Sequence, residues 1–260
     1  MDAWFTPAPP RILAHRGFSG VPTPGREPLL ENSLAAFSAA RELGVEHMET
    51  DVRATRDGVA VLWHDADLDA FDGTPDRLDQ VTWAELQGRG RGDRRVATVA
   101  EALRALPDVR FNFDVKSADA AAPLARAIRE ARAEARSLVC SFSDARLAAI
   151  RELVPECPTS ASSGRLGRAL LALKAGREDL ARRALGGVDA LQIPERRAGI
   201  TLASPARLAA WRRIVREVHV WTVNEPADMI RLWRSGVDGI VTDRADLAVR
   251  ALVELGPSRG

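Results

Sequence analysis

The chain contains 260 residues, of which 46% are hydrophobic, so it is long enough to bury a sizeable core in one large domain or two small ones. Lys and Arg together number 37 and Asp and Glu 36, and this balance gives no reason to expect a nucleic-acid partner. Residues 1–10 lack a basic stretch followed by an apolar run, so we expect no signal peptide, and no apolar run approaches the roughly 20 residues that a transmembrane segment needs. Cys140 and Cys157 lack metal-ligand spacing and are typical of reduced core thiols, so we expect a cytoplasmic location.

Short apolar, β-branched segments alternate along the chain with longer Ala-, Leu- and Arg-rich segments of helical periodicity. Strands are predicted at residues 11–14, 47–52, 109–115, 138–142, 159–162, 188–193, 218–223 and 239–242. Helices are predicted at residues 33–43, 99–106, 120–133, 144–153, 166–185, 205–216, 226–235 and 247–255. This alternation is typical of βα units and a parallel sheet. It predicts an α/β fold, a single (β/α)8 TIM barrel that forms one domain over residues 1–260.

One further apolar run, residues 59–63, follows the second predicted strand too closely for a helical crossover. Asp57-Gly58 between them is a strong hairpin signal. The pattern therefore predicts that the second strand turns at Asp57-Gly58 and returns antiparallel, as a β-hairpin that projects above the barrel rim. Asp51 and His64 are equidistant from this turn, so we expect them to lie nearly opposite each other.

Acidic side chains lie toward the ends of two neighbouring predicted strands, at the end of a barrel where active sites lie. Glu49 and Asp51 are two residues apart, so both point to the same face of their strand, and Asp114 on the adjacent strand completes a cluster of three. Buried together, such acids need a proton or a cation for compensation. Oxygen ligands favour a hard cation, Mg²⁺ or Ca²⁺. The alternative is that Arg16 or Lys116 pairs with these acids in a structural network.

Two of the four histidines also fall near predicted strand ends. His15 ends the first strand and His64 ends the hairpin, so both are candidates for general acid and base catalysis near neutral pH. Arg16 and Lys116 add positive charge suited to a phosphoryl oxygen. The other two histidines lie toward the starts of strands, and we interpret them as structural: His47 and His219.

The order and spacing of these residues resemble the glycerophosphodiester phosphodiesterase family over residues 13–247. The matching blocks are His15-Arg16-Gly17, Glu31-Asn32-Ser33, Glu49-Thr50-Asp51-Val52, Arg56-Asp57-Gly58, His64-Asp65, Ser141-Phe142, Trp221-Thr222-Val223-Asn224 and Gly239-Ile240-Val241-Thr242-Asp243-Arg244. Each block alone is modest, whereas their combination is specific.

The resemblance implies hydrolysis of a small-molecule glycerophosphodiester to an alcohol and sn-glycerol 3-phosphate. In the family's reaction, a free glycerol hydroxyl attacks the phosphorus and gives a cyclic phosphate, which water then opens. The implied roles are acid/base catalysis for His15 and His64, binding of one divalent cation for Glu49, Asp51 and Asp114, and substrate binding for Arg16, Lys116 and Trp221.

Two features depart from the family pattern. Asp114-Val115-Lys116 stands where the family usually has Glu-x-Lys, which keeps the charge but shortens the acid by one methylene. The Pro-rich stretch of residues 21–30 looks longer than usual, and we expect it to lie over the site's mouth, either reshaping the alcohol side of the pocket or forming a stiff surface loop.

Other functions stay open on sequence grounds. Lysophospholipase D and sphingomyelinase D enzymes have similar barrels and act on lipids, and Phe18, Phe71 and Trp63 would then supply an apolar surface instead of core. A non-catalytic phosphodiester-binding barrel is a second alternative, although the retained histidines and acids favour an enzyme. An isomerase or aldolase would rely on Lys116 and leave both histidines unexplained. The alcohol group, the physiological metal and the oligomeric state are not determined by the sequence.

Overall fold

The computed structural model describes residues 3–19, 28–90 and 94–256. Its strands are β1 (Arg11–His15), β2 (His47–Ala54), β3 (Ala60–Leu62), β4 (Asp67–Leu68), β5 (Thr74–Arg77), β6 (Arg110–Val115), β7 (Ser137–Cys140), β8 (Ala190–Pro194), β9 (Arg196–Arg197), β10 (Ile200–Thr201), β11 (Glu217–Trp221) and β12 (Gly239–Thr242). Its α-helices are α1 (Leu34–Glu42), α2 (Asp69–Asp72), α3 (Trp83–Arg89), α4 (Val99–Ala105), α5 (Ala121–Glu130), α6 (Asp144–Leu153), α7 (Ser163–Lys174), α8 (Glu178–Leu185), α9 (Pro205–Trp211), α10 (Pro226–Arg234) and α11 (Ala245–Leu255).

The central feature is a curled parallel sheet with the strand order β7-β6-β2-β1-β12-β11-β8. Its strands are buried almost throughout, as expected when apolar side chains pack on both faces of a parallel sheet. Single parallel bridges join Val139 to Thr159 and Ser160 to Ala190, so residues 159–160 contact both outermost strands. The predicted α/β class is confirmed, while the fifth predicted strand, 159–162, is present only as these two bridges.

An additional strand, β3, pairs antiparallel with β2 from Val52–Leu62 to Ala54–Ala60. The connecting turn has Gly58 in the left-handed region with φ +74°, where glycine is favoured. Its amide donates a 2.9 Å hydrogen bond to the carbonyl of Thr55.

The register of this pair fixes where the returning chain meets the site. The amide of Trp63 donates a 3.0 Å hydrogen bond to the carbonyl of Asp51, so Trp63 lies opposite Asp51. His64 is one residue further along, where its carbonyl accepts a 2.8 Å hydrogen bond from Nε of Arg53. The expectation that His64 lies opposite Asp51 was therefore wrong by one residue, because the turn is not centred on Asp57-Gly58.

One of the helical predictions was wrong. The apolar period over residues 166–185 predicts one helix, but the chain forms α7 and α8 instead. Gly176 adopts φ +70° between them, which ends α7 and reverses the chain. The short elements α2, α3, β4, β5, β9 and β10 were not predicted. Most of the 21–30 stretch lies outside the described residues, and the prediction made for it is not tested.

The aromatic residues considered for lipid contact lie in or against the core. Trp63 is buried and packs edge-on against Phe71 with 5.9 Å between ring centroids. Phe71 and Phe18 are partly buried against hydrophobic clusters. The core alternative is thus the correct one for these three side chains. Among the described helices, none combines the length and apolar character needed to traverse a bilayer.

Trp4 packs at the end of the sheet opposite to the carboxyl ends of the parallel strands. Its indole Nε1 donates a 3.0 Å hydrogen bond to the carbonyl of Phe111, and its own carbonyl lies 2.8 Å from Nε2 of His47. Arg11, beside it, forms a buried ion pair of 2.7 Å with Glu217. His219 lies 3.0 Å from Glu217 as well. His47 and His219 are therefore structural residues, as predicted, and both cysteines are buried free thiols.

Candidate active site

The turn after β1 places Arg16 at the ends of the strands. Arg16 has φ +56° and Gly17 has φ +84°. A Cβ at position 17 would lie 2.7 Å from the carbonyl carbon of Ala36, so only glycine fits there. The amide of Arg16 donates a 2.9 Å hydrogen bond to the carbonyl of Glu49, which fixes this turn against β2.

Strand register brings the acidic side chains together. His15 pairs with Glu49 across β1 and β2, and Asp51 pairs with Asp114 across β2 and β6. All three acids are at least nine-tenths buried. They line a cavity of about 290 Å³ at the carboxyl ends of the strands. The other residues of its wall are His15, Arg16, His64, Asn112, Lys116, Cys140, Ser141, Phe142, Ser160, Ala161, Ser163, Leu166, Gln192, Pro194, Arg197, Trp221, Thr222 and Val241.

Asp51 is the best-paired acid of the cluster. Its Oδ1 lies 2.9 Å from Nζ of Lys116, and its Oδ2 lies 3.0 Å from Nε of Arg16, although without hydrogen-bond alignment. Asn32 donates a 3.1 Å hydrogen bond to Oδ2. Burial opposes ionisation, but the charges of Lys116 and Arg16 hold the pKa of Asp51 below its ordinary value. The alternative in which Arg16 or Lys116 pairs with the acids therefore holds for Asp51.

Glu49 and Asp114 are less well compensated. Oε2 of Glu49 and Oδ1 of Asp114 are buried without any hydrogen-bond partner among the described residues. Burial raises the pKa of Glu49 to about 8, with a further contribution from the charge of Asp51. Burial also raises the pKa of Asp114, although Lys116 Nζ lies 2.7 Å from its other oxygen. The cluster thus presents buried oxygens that a proton or a cation would satisfy.

The fit to a metal ion is partial. Within the described ranges, no three His, Cys, Asp or Glu side chains form a group that could hold a metal ion as they stand. Lys116 contacts both Asp51 and Asp114, so its ammonium already supplies part of the positive charge. The unpartnered oxygens of Glu49 and Asp114 are nevertheless the donor type that a hard divalent cation prefers.

His15 lies between two acids. Its Nδ1 is 2.6 Å from Oδ1 of Asp243, and its Nε2 is 3.7 Å from Oε2 of Glu49. Burial lowers the pKa of His15, but the hydrogen bond to Asp243 and the charge of Glu49 outweigh it, so that the pKa is raised. Asp243 is itself held by a 2.8 Å hydrogen bond from Nδ2 of Asn224.

His64, which lines the same cavity, has a similar arrangement. Its Nδ1 lies 2.7 Å from Oδ1 of Asp65. Its side chain is 37% exposed, compared with 23% for that of His15. In both histidines a carboxylate contacts Nδ1, which leaves Nε2 for other partners.

A family model decides the classification of the chain. The model of the Glycerophosphoryl diester phosphodiesterase family matches residues 15–247. The chain belongs to this family. A Mycobacterium tuberculosis relative named "Probable glycerophosphodiester phosphodiesterase 2" is 39% identical, over 94% of this chain and 91% of its own length.

Solved structures of the phosphodiesterase family share the fold. The Agrobacterium tumefaciens glycerophosphodiester phosphodiesterase is 23% identical and superposes with a TM-score of 0.74, covering 94% of this chain and 99% of its own. An Oleispira antarctica phosphodiesterase, solved in complex with the product sn-glycerol-3-phosphate, is 19% identical with a TM-score of 0.76, covering 94% and 97%. The bound product is an observation on the Oleispira protein.

Every site residue predicted from the sequence lines the cavity at the carboxyl ends of the phosphodiesterase's strands. These residues are His15, Arg16, Glu49, Asp51, His64, Asp114, Lys116 and Trp221. The structure thus brings the predicted set together, while their individual chemical roles remain predictions.

Several residues of the phosphodiesterase site were not assigned a role from the sequence. Asp243 and Asn224 follow β12 and β11, so a search of every strand end would have found them. Asn32 adopts φ +57° and donates a hydrogen bond to Asp51. It does not lie at the end of a strand, so the strand pattern gave no indication of this contact. Phe142 is 49% exposed at the cavity and packs edge-on against Trp221, with 5.7 Å between ring centroids.

Proposed function

We propose that this chain hydrolyses glycerophosphodiesters to an alcohol and sn-glycerol 3-phosphate. The observation that carries the proposal is the meeting of His15 and His64 with a buried acid cluster on one cavity of a phosphodiesterase-family chain. The name of the mycobacterial relative supports this substrate class, and so does the product bound in the Oleispira structure.

The phosphate would be held by positive charge at the acid cluster. Arg16 is fixed by Glu31 through hydrogen bonds of 2.9 and 3.0 Å as well as by Asp51. Lys116 is fixed by Asp51 and Asp114. Because the acids already orient both cations, little side-chain entropy remains to be lost when a phosphodiester anion binds. Charge that grows on the phosphoryl oxygens in the transition state is then stabilised by preorganised groups.

The histidines would move the protons of the reaction. Since carboxylates contact Nδ1 of His15 and of His64, the Nε2 atoms are the ones available to substrate. One histidine takes the proton of the attacking glycerol hydroxyl, and the other gives a proton to the departing alcohol oxygen. The cyclic phosphate formed in this step is opened by water with the two proton transfers reversed, which returns both histidines to their starting states.

A divalent cation, Mg²⁺ or Ca²⁺, would be held by Glu49, Asp51 and Asp114. Bound there, it would supply Lewis-acid charge to the phosphoryl group. The unpartnered oxygens of Glu49 and Asp114 support this assignment, and the raised pKa of Glu49 indicates that burial leaves its charge undercompensated. Asp114 is shorter than the glutamate usual at this position, so its oxygens reach less far.

We also propose that the sheet closes into a single eight-stranded barrel, with residues 159–162 as the remaining strand and β2–β3 as a ribbon above the rim. The bridges from Val139 to Thr159 and from Ser160 to Ala190 support closure. One domain over residues 1–260 would then hold the whole site.

The proposal is tested with a panel of glycerophosphodiesters incubated with Mg²⁺, Ca²⁺, Mn²⁺ or chelator. Release of sn-glycerol 3-phosphate is expected from at least one diester in the presence of a divalent cation. Absence of hydrolysis for every diester and every cation would overturn the proposal.

A lipid substrate is the second candidate, because Phe142 exposes an aromatic ring next to Trp221 at the cavity. Lysophosphatidylcholine in the same panel distinguishes the two. A higher kcat/KM for glycerophosphocholine supports the soluble substrate, whereas a higher value for the lysolipid supports lysophospholipase D activity.

A further inference from the structure

The cavity wall across from the acid cluster is built from different elements and has a different character. It combines the end of β8, the β9–β10 hairpin, the start of α7 and the bridge segment at residues 159–160. Its polar members on this side include Ser160, Gln192 and Arg197. The groups proposed to transfer protons and to bind the phosphate lie outside this wall.

Arg197 is placed at the cavity by a tight hairpin. β9 and β10 pair antiparallel, with Arg197 opposite Ile200. Ala198 and Gly199 between them adopt φ +48° and +75°, as a two-residue turn with both central φ angles positive requires.

The base of this hairpin is anchored to its neighbours. Glu195 accepts two hydrogen bonds of 2.9 Å from Arg231, and its carbonyl accepts a 2.7 Å hydrogen bond from the amide of Leu202. Arg207 donates to the carbonyl of Thr201. These contacts therefore hold the backbone on both sides of Arg197.

Arg197 differs from the other cations of the cavity wall in having no acidic partner. Arg16 contacts Glu31 and Asp51, and Lys116 contacts Asp51 and Asp114. The part of the chain that the structure describes offers Arg197 neither an ion pair nor a hydrogen bond. Arg197 is exposed, so water solvates its guanidinium, and an anion bound in the cavity could pair with it without displacing an acid of the described residues.

Ser160 provides a second, independent observation on the same wall. Its side chain is 1% exposed, it lines the cavity, and its Oγ is buried without a hydrogen-bond partner among the described residues. A buried hydroxyl without a partner is costly, so a bound polar group would satisfy it.

Resting on the proposed function, we propose that Arg197 and Ser160 form a subsite for an anionic group, such as a phosphate, on the leaving alcohol of the substrate. The glycerol moiety is short, and its attacking hydroxyl must stay beside the histidines. The alcohol moiety is the part of the diester that varies in length and can extend across the cavity. Substrates whose alcohol bears an anion would therefore be favoured over those with a cationic alcohol such as choline.

The acidic group nearest to the start of α7 does not cancel the attraction of Arg197 for an anion. The start of α7 is occupied by Asp144, which accepts a hydrogen bond from Ser162 and pairs with Arg168 at 2.8 Å. Because Asp144 already contacts the residue that precedes α7, the amino terminus of this helix is not part of the subsite. The anion's charge is met by Arg197, and Ser160 adds a neutral donor.

The test compares three diesters that share the glycerophosphate half: glycerophosphocholine, glycerophosphoglycerol, and glycerophosphoglycerol carrying a terminal phosphate. Loss of each diester is followed by phosphorus NMR, and kcat/KM is measured for the wild-type protein, Arg197→Ala, Arg197→Glu and Ser160→Ala. Arg196→Ala is the matched control, because Arg196 is exposed like Arg197 and precedes it on β9 but does not line the cavity.

The preference is the ratio of kcat/KM for the phosphate-bearing diester to that for glycerophosphocholine. Arg197→Ala is expected to lower this ratio about 10- to 100-fold, as the loss of one charge-assisted contact predicts. Arg197→Glu should lower it further, Ser160→Ala should lower it less, and Arg196→Ala should leave it within a factor of two.

Two results would overturn the subsite. An equal loss for all three diesters would mean that Arg197 binds the shared phosphodiester, and an unchanged ratio in Arg197→Ala would mean that it binds no part of the substrate. Failure of the wild-type protein to cleave any of the three would instead refute the proposed function, so the two failures are distinguishable.

Discussion

Nδ1 of His15 lies 2.6 Å from Oδ1 of Asp243, although the two residues are separated by 228 positions in the chain. The second oxygen of Asp243 accepts a 2.8 Å hydrogen bond from Asn224, so the carboxylate is held from both sides. This arrangement orients the imidazole and leaves Nε2 toward Glu49, 3.7 Å away. Asp243 is therefore a positioning residue for His15 in the proposed mechanism.

Asp243→Asn should lower kcat about 10- to 100-fold with a smaller change in KM, because the amide keeps the shape but loses the charge that stabilises the imidazolium. Asp243 raises the pKa of His15. Removing its charge should therefore shift the His15 limb of the pH–rate profile to lower pH. Steady-state kinetics across the pH range measures both effects.

Asn224→Ala is the control for that change, since it keeps the Asp243 charge and removes the hydrogen bond to its carboxylate, together with those that Asn224 accepts from the Asp243 amide and the Thr242 hydroxyl. We expect a smaller loss of kcat and a smaller shift of the profile. If Asp243→Asn kept both the wild-type kcat and the wild-type pH profile, the positioning role would be wrong.

His15→Ala and His64→Ala should each reduce turnover by about 10²- to 10⁴-fold, because each removes one of the two groups proposed to move protons. Both side chains are partly exposed on the cavity, so the fold should survive. Circular dichroism and thermal unfolding check the fold, and release of sn-glycerol 3-phosphate measures the rate. Near-normal rates in either variant would refute the acid/base assignment.

Chelation by EDTA should abolish activity, and Mg²⁺ or Ca²⁺ should restore it, because the acid cluster leaves buried oxygens without partners. Added cation should also raise the melting temperature, since a ligand that binds only the folded state stabilises it. Glu49→Gln is the matched variant, as it keeps the side-chain shape and removes one charge. It should bind the cation more weakly in the melting assay. Full activity in chelator would rule out the cation.

Asp114→Glu should remain active, because it restores the glutamate usual in the family at this strand position and keeps the charge that pairs with Lys116. The measurement is kcat/KM with Mg²⁺ and with Ca²⁺ in turn. Asp114→Asn, which keeps the size and removes the charge, is the control and should lose activity. Complete inactivity of Asp114→Glu would show that the cluster is built differently from the family's.

Much of the sheet was predictable, because buried parallel strands give short apolar runs separated by helical periods. The predicted strand at 239–242 matches β12, and the helix at 144–153 matches α6. The break between α7 and α8 was missed because apolar spacing continues through Gly176. The β9–β10 hairpin was missed because strands of two residues are too short to show any alternation.

The acid cluster was predictable for a similar reason. Residues two apart on a strand share a face, so Glu49 and Asp51 had to lie together once β2 was identified. Ion pairing was not predictable to the same degree, since it depends on where the long side chains of Arg16 and Lys116 end. Asp243 follows the last predicted strand but was not assigned a role, because its contact with His15 arises from the pairing of β1 with β12 at opposite ends of the chain.

The contacts among Trp4, Arg11 and His47, at the end of the sheet away from the active site, predict how stability depends on pH. His47 is buried, its Nε2 lies 2.8 Å from the carbonyl of Trp4, and Arg11 is 3.3 Å away. Burial lowers the pKa of His47 to about 3 from 6.5, and the charge of Arg11 adds to this effect. The unfolded chain therefore takes up a proton at His47 at a higher pH than the folded chain does.

This contribution to stability is fully present above pH 6.5 and is lost as the pH falls from 6.5 toward 3. Between pH 7.5 and pH 5 the free energy of unfolding should fall by about 2 kcal/mol from this residue, since one pKa unit corresponds to ~1.4 kcal/mol. His47→Gln cannot be protonated and should lose that part of the pH dependence, whatever its stability at pH 7.5. Urea unfolding of both proteins at the two pH values measures the slope. An identical slope in the variant would mean that His47 is not the residue whose protonation opposes folding.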